Sequence, residues 1–184
     1  MNDRIKGMIL GSIVGDALGT PIDGLSKGHI SAVFKEIDTY IDPSPALKGK
    51  MEYWKKPGLY SSISQMIILL SYIFCSKKKI NEIDLIELIK EIPETPESRF
   101  GIFRHPYNME KKLVERARRG DLSDKDNTFS HTCARLAAII PSIIVYNSKS
   151  YIDFIFSALS FSILLNKNVE SIVGALIFAA LLRR

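Results

Sequence analysis

The chain has 184 residues, 46% apolar, 24% charged and 9% aromatic, which suits one domain and would make two compact ones cramped. That apolar content is enough to offset the entropy of ordering the chain, so a disordered protein is excluded. Cys75 and Cys133 are too few and too far apart for a disulfide scaffold or a cysteine-rich metal site, and a net charge of +5 permits an acidic partner without requiring one.

Residues 3–18 place Ile5, Met8, Ile9, Ile13, Ala17 and Leu18 at a helical period. Gly7, Gly11, Gly15 and Gly19 recur every fourth residue of the same segment, and each interior glycine costs roughly 1 kcal/mol relative to alanine. Their shared face, bare of side chains, invites tight helix packing as the first reading and a ligand as the second. Asp16 and Asp23 flank the turn that follows, shaped by Gly19, Pro21 and Gly24. Two carboxylates there suit a hydroxylated ligand or a metal. They equally suit the capping of helix ends, and on the residues alone capping leads.

Residues 20–60 hold turn signals at Thr20-Pro21, Asp42-Pro43-Ser44-Pro45 and Lys56-Pro57-Gly58, with one short helix expected near His29–Ile37. Ser61–Cys75 reads as a buried helix, capped by serines at its head and apolar all round later. Ile80–Ile92 is amphipathic and closed by Pro93 and Pro96. Met109–Arg119 is a charged surface helix ended by Gly120, and Asn127–Tyr146, Tyr151–Leu165 and Val169–Leu182 complete the series. No strand alternation stands out, so the chain is read as all-α with about seven helices.

Charge is unevenly spread: 15 charged residues lie in 1–76, 23 in 77–126 and 7 in 127–184. The last third is written for burial, yet its uncharged runs Leu136–Ser148, Phe154–Asn166 and Ser171–Leu182 each fall short of the roughly 20 residues a membrane-spanning helix needs. Asp16 interrupts the N-terminal apolar stretch, so no signal peptide is expected, and a soluble cytoplasmic protein is the reading. His29, His105 and His131 stand apart from any ligand-spaced set, and His131 and Cys133 point to different helix faces. The basic runs Lys77–Lys79 and Arg116, Arg118 and Arg119 lack interleaved aromatics, so solvated faces are expected and not nucleic-acid contacts.

Two blocks carry a resemblance. IKGMILGSIVGDALGTPIDG resembles the opening G-x-x-x-G-x-x-x-G-D-A-L-G of the ADP-ribosylglycohydrolases, with Gly11, Gly15, Asp16, Ala17, Leu18, Gly19, Pro21 and Gly24 in place. Asp23 stands where that family commonly has a catalytic glutamate. PGLYSSISQM resembles P-G-x-x-T-D-D-T-Q-M, keeping Pro57, Gly58, Gln65 and Met66. Ser130–Ile143 is more loosely similar to N-G-x-x-M-R-x-x-P, with Arg135 at the arginine, and Leu159–Leu182 to a helix pair containing a G-A step at Gly174-Ala175.

The resemblance implies a single all-α domain over 1–184, an ADP-ribosylglycohydrolase-like helical bundle. Such enzymes release ADP-ribose from modified proteins or small acceptors, and include the hydrolase that reactivates dinitrogen reductase. It also implies two magnesium ions held by the T-D-D-T carboxylates and by a later acidic cluster. Here the T-D-D-T positions are Ser61, Ser62, Ile63 and Ser64, the family's T-H pair falls on Leu165 and Asn166, and residues 171–184 hold no acid. The C-terminal helices of longer members are expected to be missing.

No metal or other cofactor is therefore expected, and the expected protein is a pseudoenzyme. Asp16, Gly19, Asp23 and Arg135 are its candidate ligand-binding residues, and Asp23 is the candidate catalytic one. Its expected partners are ADP-ribose or an ADP-ribosylated protein. The alternative is an active hydrolase of altered mechanism, or one completed by a partner chain. With covering helices absent, Val169–Leu182 is expected to expose an apolar patch, covered by a homodimer or a second chain.

Overall fold

The structure is a computed structural model that describes residues 3–42, 57–58, 60–77, 81–91, 115–120, 139–146, 150–165 and 168–183. Among them no strand occurs, and the chain is all-α. Helix α1 spans Asp3–Gly19 and runs into a 3-10 turn at Thr20–Ile22, where Pro21 sits at a position that needs no backbone N–H. Helix α2, Lys27–Phe34, begins where the Ser26 hydroxyl accepts from the His29 N–H at 3.3 Å. That cap starts the helix two residues before the expected His29, and Lys35, with φ of 60°, stops it before Ile37.

Helix α3, Ser62–Ser76, is capped by Ser61, whose hydroxyl accepts from the Ile63 N–H at 3.0 Å. It is the central helix, with Met66, Leu70, Ile73 and Phe74 in the main core. The expectation of an all-round buried helix is corrected here, because Ile68, Tyr72 and Cys75 face outward. One side of α3 lacks a neighbour among the described residues, and apolar composition alone does not reveal that.

Helix α4, Glu82–Glu91, opens with a reciprocal capping box. The Asp84 N–H donates to Asn81 Oδ1 at 2.9 Å, and the Asn81 N–H donates back to Asp84 at 3.2 Å. Residues 115–119 are helical, and Gly120 ends them with φ of 76°, the left-handed conformation that glycine adopts without strain. Much of the expected Met109–Arg119 and Asn127–Tyr146 helices lies outside the described residues, as do His105, His131 and Cys133. Where the second is described, Pro141 turns it into a 3-10 segment, Ile140–Ser142, before the short helix α5, Ile143–Tyr146.

Helices α6, Tyr151–Leu165, and α7, Val169–Leu182, form an antiparallel hairpin. The Asn168 side chain caps α7 by accepting from the Ser171 N–H at 2.8 Å. At the open end, Arg183 from the end of α7 donates to the Ser150 carbonyl at 3.0 Å and lies over the Tyr151 and Phe154 rings. Phe154, Ala158 and Phe161 of α6 and Ala175 and Ala179 of α7 reach the main core, where Phe74 meets Phe161 edge to face at 5.2 Å. A smaller cluster of Ile9, Ile67 and Ile140 joins α1 to α3 and to the 3-10 segment. Together these clusters hold the end of α1 beside the start of α3, and that junction is the candidate site.

The first reading of the α1 glycines, tight packing, finds no partner among the described residues. Gly7, Gly11 and Gly15 lie on the exposed face with Leu10 and Val14, and a Cβ at any of them would meet none of the described residues within 4 Å. Tight packing is therefore not what occupies this face among the described residues. The core side of α1 is carried by Ile9 and Ala17.

Candidate functional site

Asp16 lies in the last turn of α1 with its carboxylate aimed at the first turn of α3. Ser61 approaches it twice: its backbone N–H donates to Oδ2 at 2.8 Å, and its hydroxyl lies 2.7 Å from Oδ1 and 2.9 Å from Oδ2. The Ser64 hydroxyl donates to Oδ2 at 2.6 Å. The Thr20 hydroxyl, one turn beyond Asp16 in sequence, lies 2.6 Å from the Asp16 carbonyl and 3.1 Å from Oδ1. A carboxylate offers about four lone-pair positions, and three donor groups, the Ser61 N–H and the Ser61 and Ser64 hydroxyls, face this one, while the single Thr20 hydroxyl proton lies nearer the Asp16 carbonyl.

The arrangement follows from local chemistry. A helix start leaves backbone N–H groups unsatisfied and carries the positive end of the helix dipole, both of which favour an anion. The α3 start supplies Ser61 as cap and Ser64 one turn on, both buried. Gly58, with φ of 78°, leads the chain into this start, and the Tyr40 ring packs 3.5 Å from where its Cβ would be. Pro57-Gly58 thus shapes the backbone ahead of the serines.

The remaining positions separate into two groups. Ser62 is fully buried, and Ile63 packs against the small apolar cluster of Ile9, Ile67 and Ile140. An isoleucine side chain holds no ligand atom, and its packing shows what it does instead. Asp23 sits on the surface past the 3-10 turn, its N–H donating to the Thr20 carbonyl at 3.2 Å, and Gly24 follows with φ of 76°. Gly19 forms the joint between α1 and the 3-10 turn. The structure brings Asp16 together with Ser61 and Ser64, while Arg135 lies outside the described residues. Among the described residues no group of three or more His, Cys, Asp or Glu side chains gathers at one point.

Thr20 was not singled out from sequence, though its place four residues after Asp16 is a readable signal, since i and i+4 share a helix face. The pairing of Asp16 with Ser61 across 45 residues had no such signal.

A family comparison matches residues 1–184, the entire chain, to ADP-ribosylglycohydrolase. The chain belongs to the ADP-ribosylglycohydrolase family. No curated protein matches it closely enough to count as a relative. Among the described residues no helix is long and apolar enough to cross a membrane.

Proposed function

We propose that this member of the family does not carry out metal-dependent cleavage of ADP-ribosyl bonds and uses the helical scaffold to bind ADP-ribose or an ADP-ribosylated protein. The observation that carries the reading is what stands at the two carboxylate positions of the T-D-D-T pattern: Ser62, fully buried, and Ile63, packed against Ile9, Ile67 and Ile140. Mg²⁺ demands near-octahedral oxygen coordination, normally with at least one carboxylate. A serine hydroxyl is a neutral, weak ligand, and an isoleucine side chain supplies no oxygen at all. This set does not fit a pair of magnesium ions, and no catalytic step is assigned to one. Without such ions, polarisation of the ribose and activation of water lose a contribution of several kcal/mol to the transition state.

The test is incubation of the purified chain with an ADP-ribosylated protein at 0–10 mM Mg²⁺, following free ADP-ribose by chromatography. No release above the uncatalysed rate is expected. Release that depends on the chain and disappears in Asp23→Asn would overturn the reading in favour of a hydrolase of altered mechanism. Calorimetry with ADP-ribose tests the binding half, and an absence of heat at millimolar ligand counts against it.

A further inference from the structure

The outward face of the α6–α7 hairpin is apolar and without a partner among the described residues. Val169, Val173, Ile177 and Leu181 follow one another every fourth residue along α7 and are 71%, 48%, 59% and 58% exposed. On α6, Tyr151, Ile152, Phe156 and Ile163 are exposed as well. Tyr151, Ile177 and Leu181 line one groove of about 540 Å³ with Ala180 and Arg183, so the exposed residues of the two helices meet at Tyr151. The core-facing residues, Phe154, Ala158, Ala175 and Ala179, occupy the opposite side of each helix, so this face is not the one that holds the hairpin in the fold.

We infer that this face is an interface with a second copy of the chain, with α7 packed antiparallel on its counterpart about a two-fold axis between Val173 and Ile177. Three observations select a second copy as the occupant. A stripe spaced every four residues is the ridge that interdigitates when two helices cross at about −50°. Because the spacing is uniform, the stripe is also its own antiparallel complement: residue 169 meets 181 and 173 meets 177, as an isologous interface requires. Between Glu170 and Arg183 the α7 sequence carries no charged residue, so closure around Val173 and Ile177 strands no charge.

Area supports the same occupant. At roughly 100 Å² per side chain, against the 150–250 Å² of a whole aromatic one, the eight residues present on the order of 800 Å². That is about the area each partner contributes to a standard stable interface, and more than the roughly 300–600 Å² of the largest patch on a typical monomer.

The experiment is sedimentation of the full chain from about 1 to 100 μM with Val173→Lys, Ile177→Glu and the double variant. The wild type is expected at twice the monomer mass. Each single variant is expected at the monomer mass, because symmetry sets like charges or buried charges near the axis. The double variant, in which opposite charges face each other across the axis, is expected to recover the dimer. Ile83→Glu, on the exposed side of α4, is expected to change nothing. A wild-type monomer at 100 μM overturns the inference, as does a dimer indifferent to both single changes or a double variant that stays monomeric. Far-ultraviolet circular dichroism on each variant shows that the helices persist. If a single variant unfolds, Val173→Ser and Ile177→Ser replace it, with the same expected loss of the dimer.

Discussion

The backbone N–H and the hydroxyl of Ser61 both reach the carboxylate of Asp16, 45 residues away, at 2.7–2.9 Å. Two helices that share no local sequence contact are thereby tied at one acid. Hydrogen bonds to a charged group contribute about 1.5–3 kcal/mol each, and burial of the serines raises the cost of leaving them unmet.

Asp16→Ala is expected to destabilise the fold by about 2–4 kcal/mol, since it leaves Ser61 and Ser64 without their acceptor. Ser64→Ala removes a single donor and is expected to cost about 1–2 kcal/mol. Urea unfolding measures both, and an Asp16→Ala loss smaller than that of Ser64→Ala would contradict the tie.

Magnesium is expected to leave the wild-type melting temperature unchanged, because no three carboxylate, His or Cys side chains gather at one point among the described residues. A ligand present at 100 times its Kd stabilises by about 2.7 kcal/mol, so 10 mM Mg²⁺ exposes any site with Kd near 0.1 mM. A rise of several degrees on adding Mg²⁺, reversed by EDTA, would count against the proposed function.

Glycine substitutions are expected to split by position. Gly11→Ala places a methyl group where none of the described residues lies within 4 Å, and a helix-interior alanine gains about 1 kcal/mol over glycine. Gly58→Ala forces a side chain into φ of 78° and costs about 1–2 kcal/mol, with the Tyr40 ring at ordinary contact distance. Thermal unfolding of the pair gives opposite signs. A destabilising Gly11→Ala would mean that something packs on that face.

The start of α4 is expected to respond to pH at both extremes. The hydrogen bond from Lys77 holds the Asp84 carboxyl below its ordinary range, helped by the Asn81 N–H and opposed by burial. The same hydrogen bond raises Lys77 above the ordinary lysine range. A lowered acid contributes stability above its unfolded pKa and loses it as pH falls through the folded one. A raised lysine contributes below its unfolded pKa and loses it as pH rises through the folded one. With ordinary values of about 3.9 and 10.4, the contribution is expected to be flat from about pH 5 to 9. The stability difference between wild type and Asp84→Asn, measured against pH, is expected to shrink below pH 4.

Much of the helical order was legible because it depends on local periodicity and punctuation. Tyr151–Leu165 and Val169–Leu182 stand where their apolar runs predict them, bounded by Ser150 and by Asn166–Asn168. Helix α3 begins at its serines because the caps are the serines themselves. The α1 glycine face was not legible beyond its two readings, because spacing reports which residues share a side and not what lies opposite. The outward side of α3 was misread for the same reason: Ile68 and Tyr72 are as apolar as their buried neighbours.

The G-D-A-L-G block and the P-G-x-x-S-S-x-S block by themselves carry the likeness to the family, because it is a matter of residue type in order. The tertiary structure decides which of these residues meet. Asp16 meets Ser61 and Ser64 because the Ile9, Ile67 and Ile140 cluster holds the end of α1 against the start of α3. A hydrogen bond needs its groups within about 3 Å, and across 45 residues only the packing of the core sets that distance.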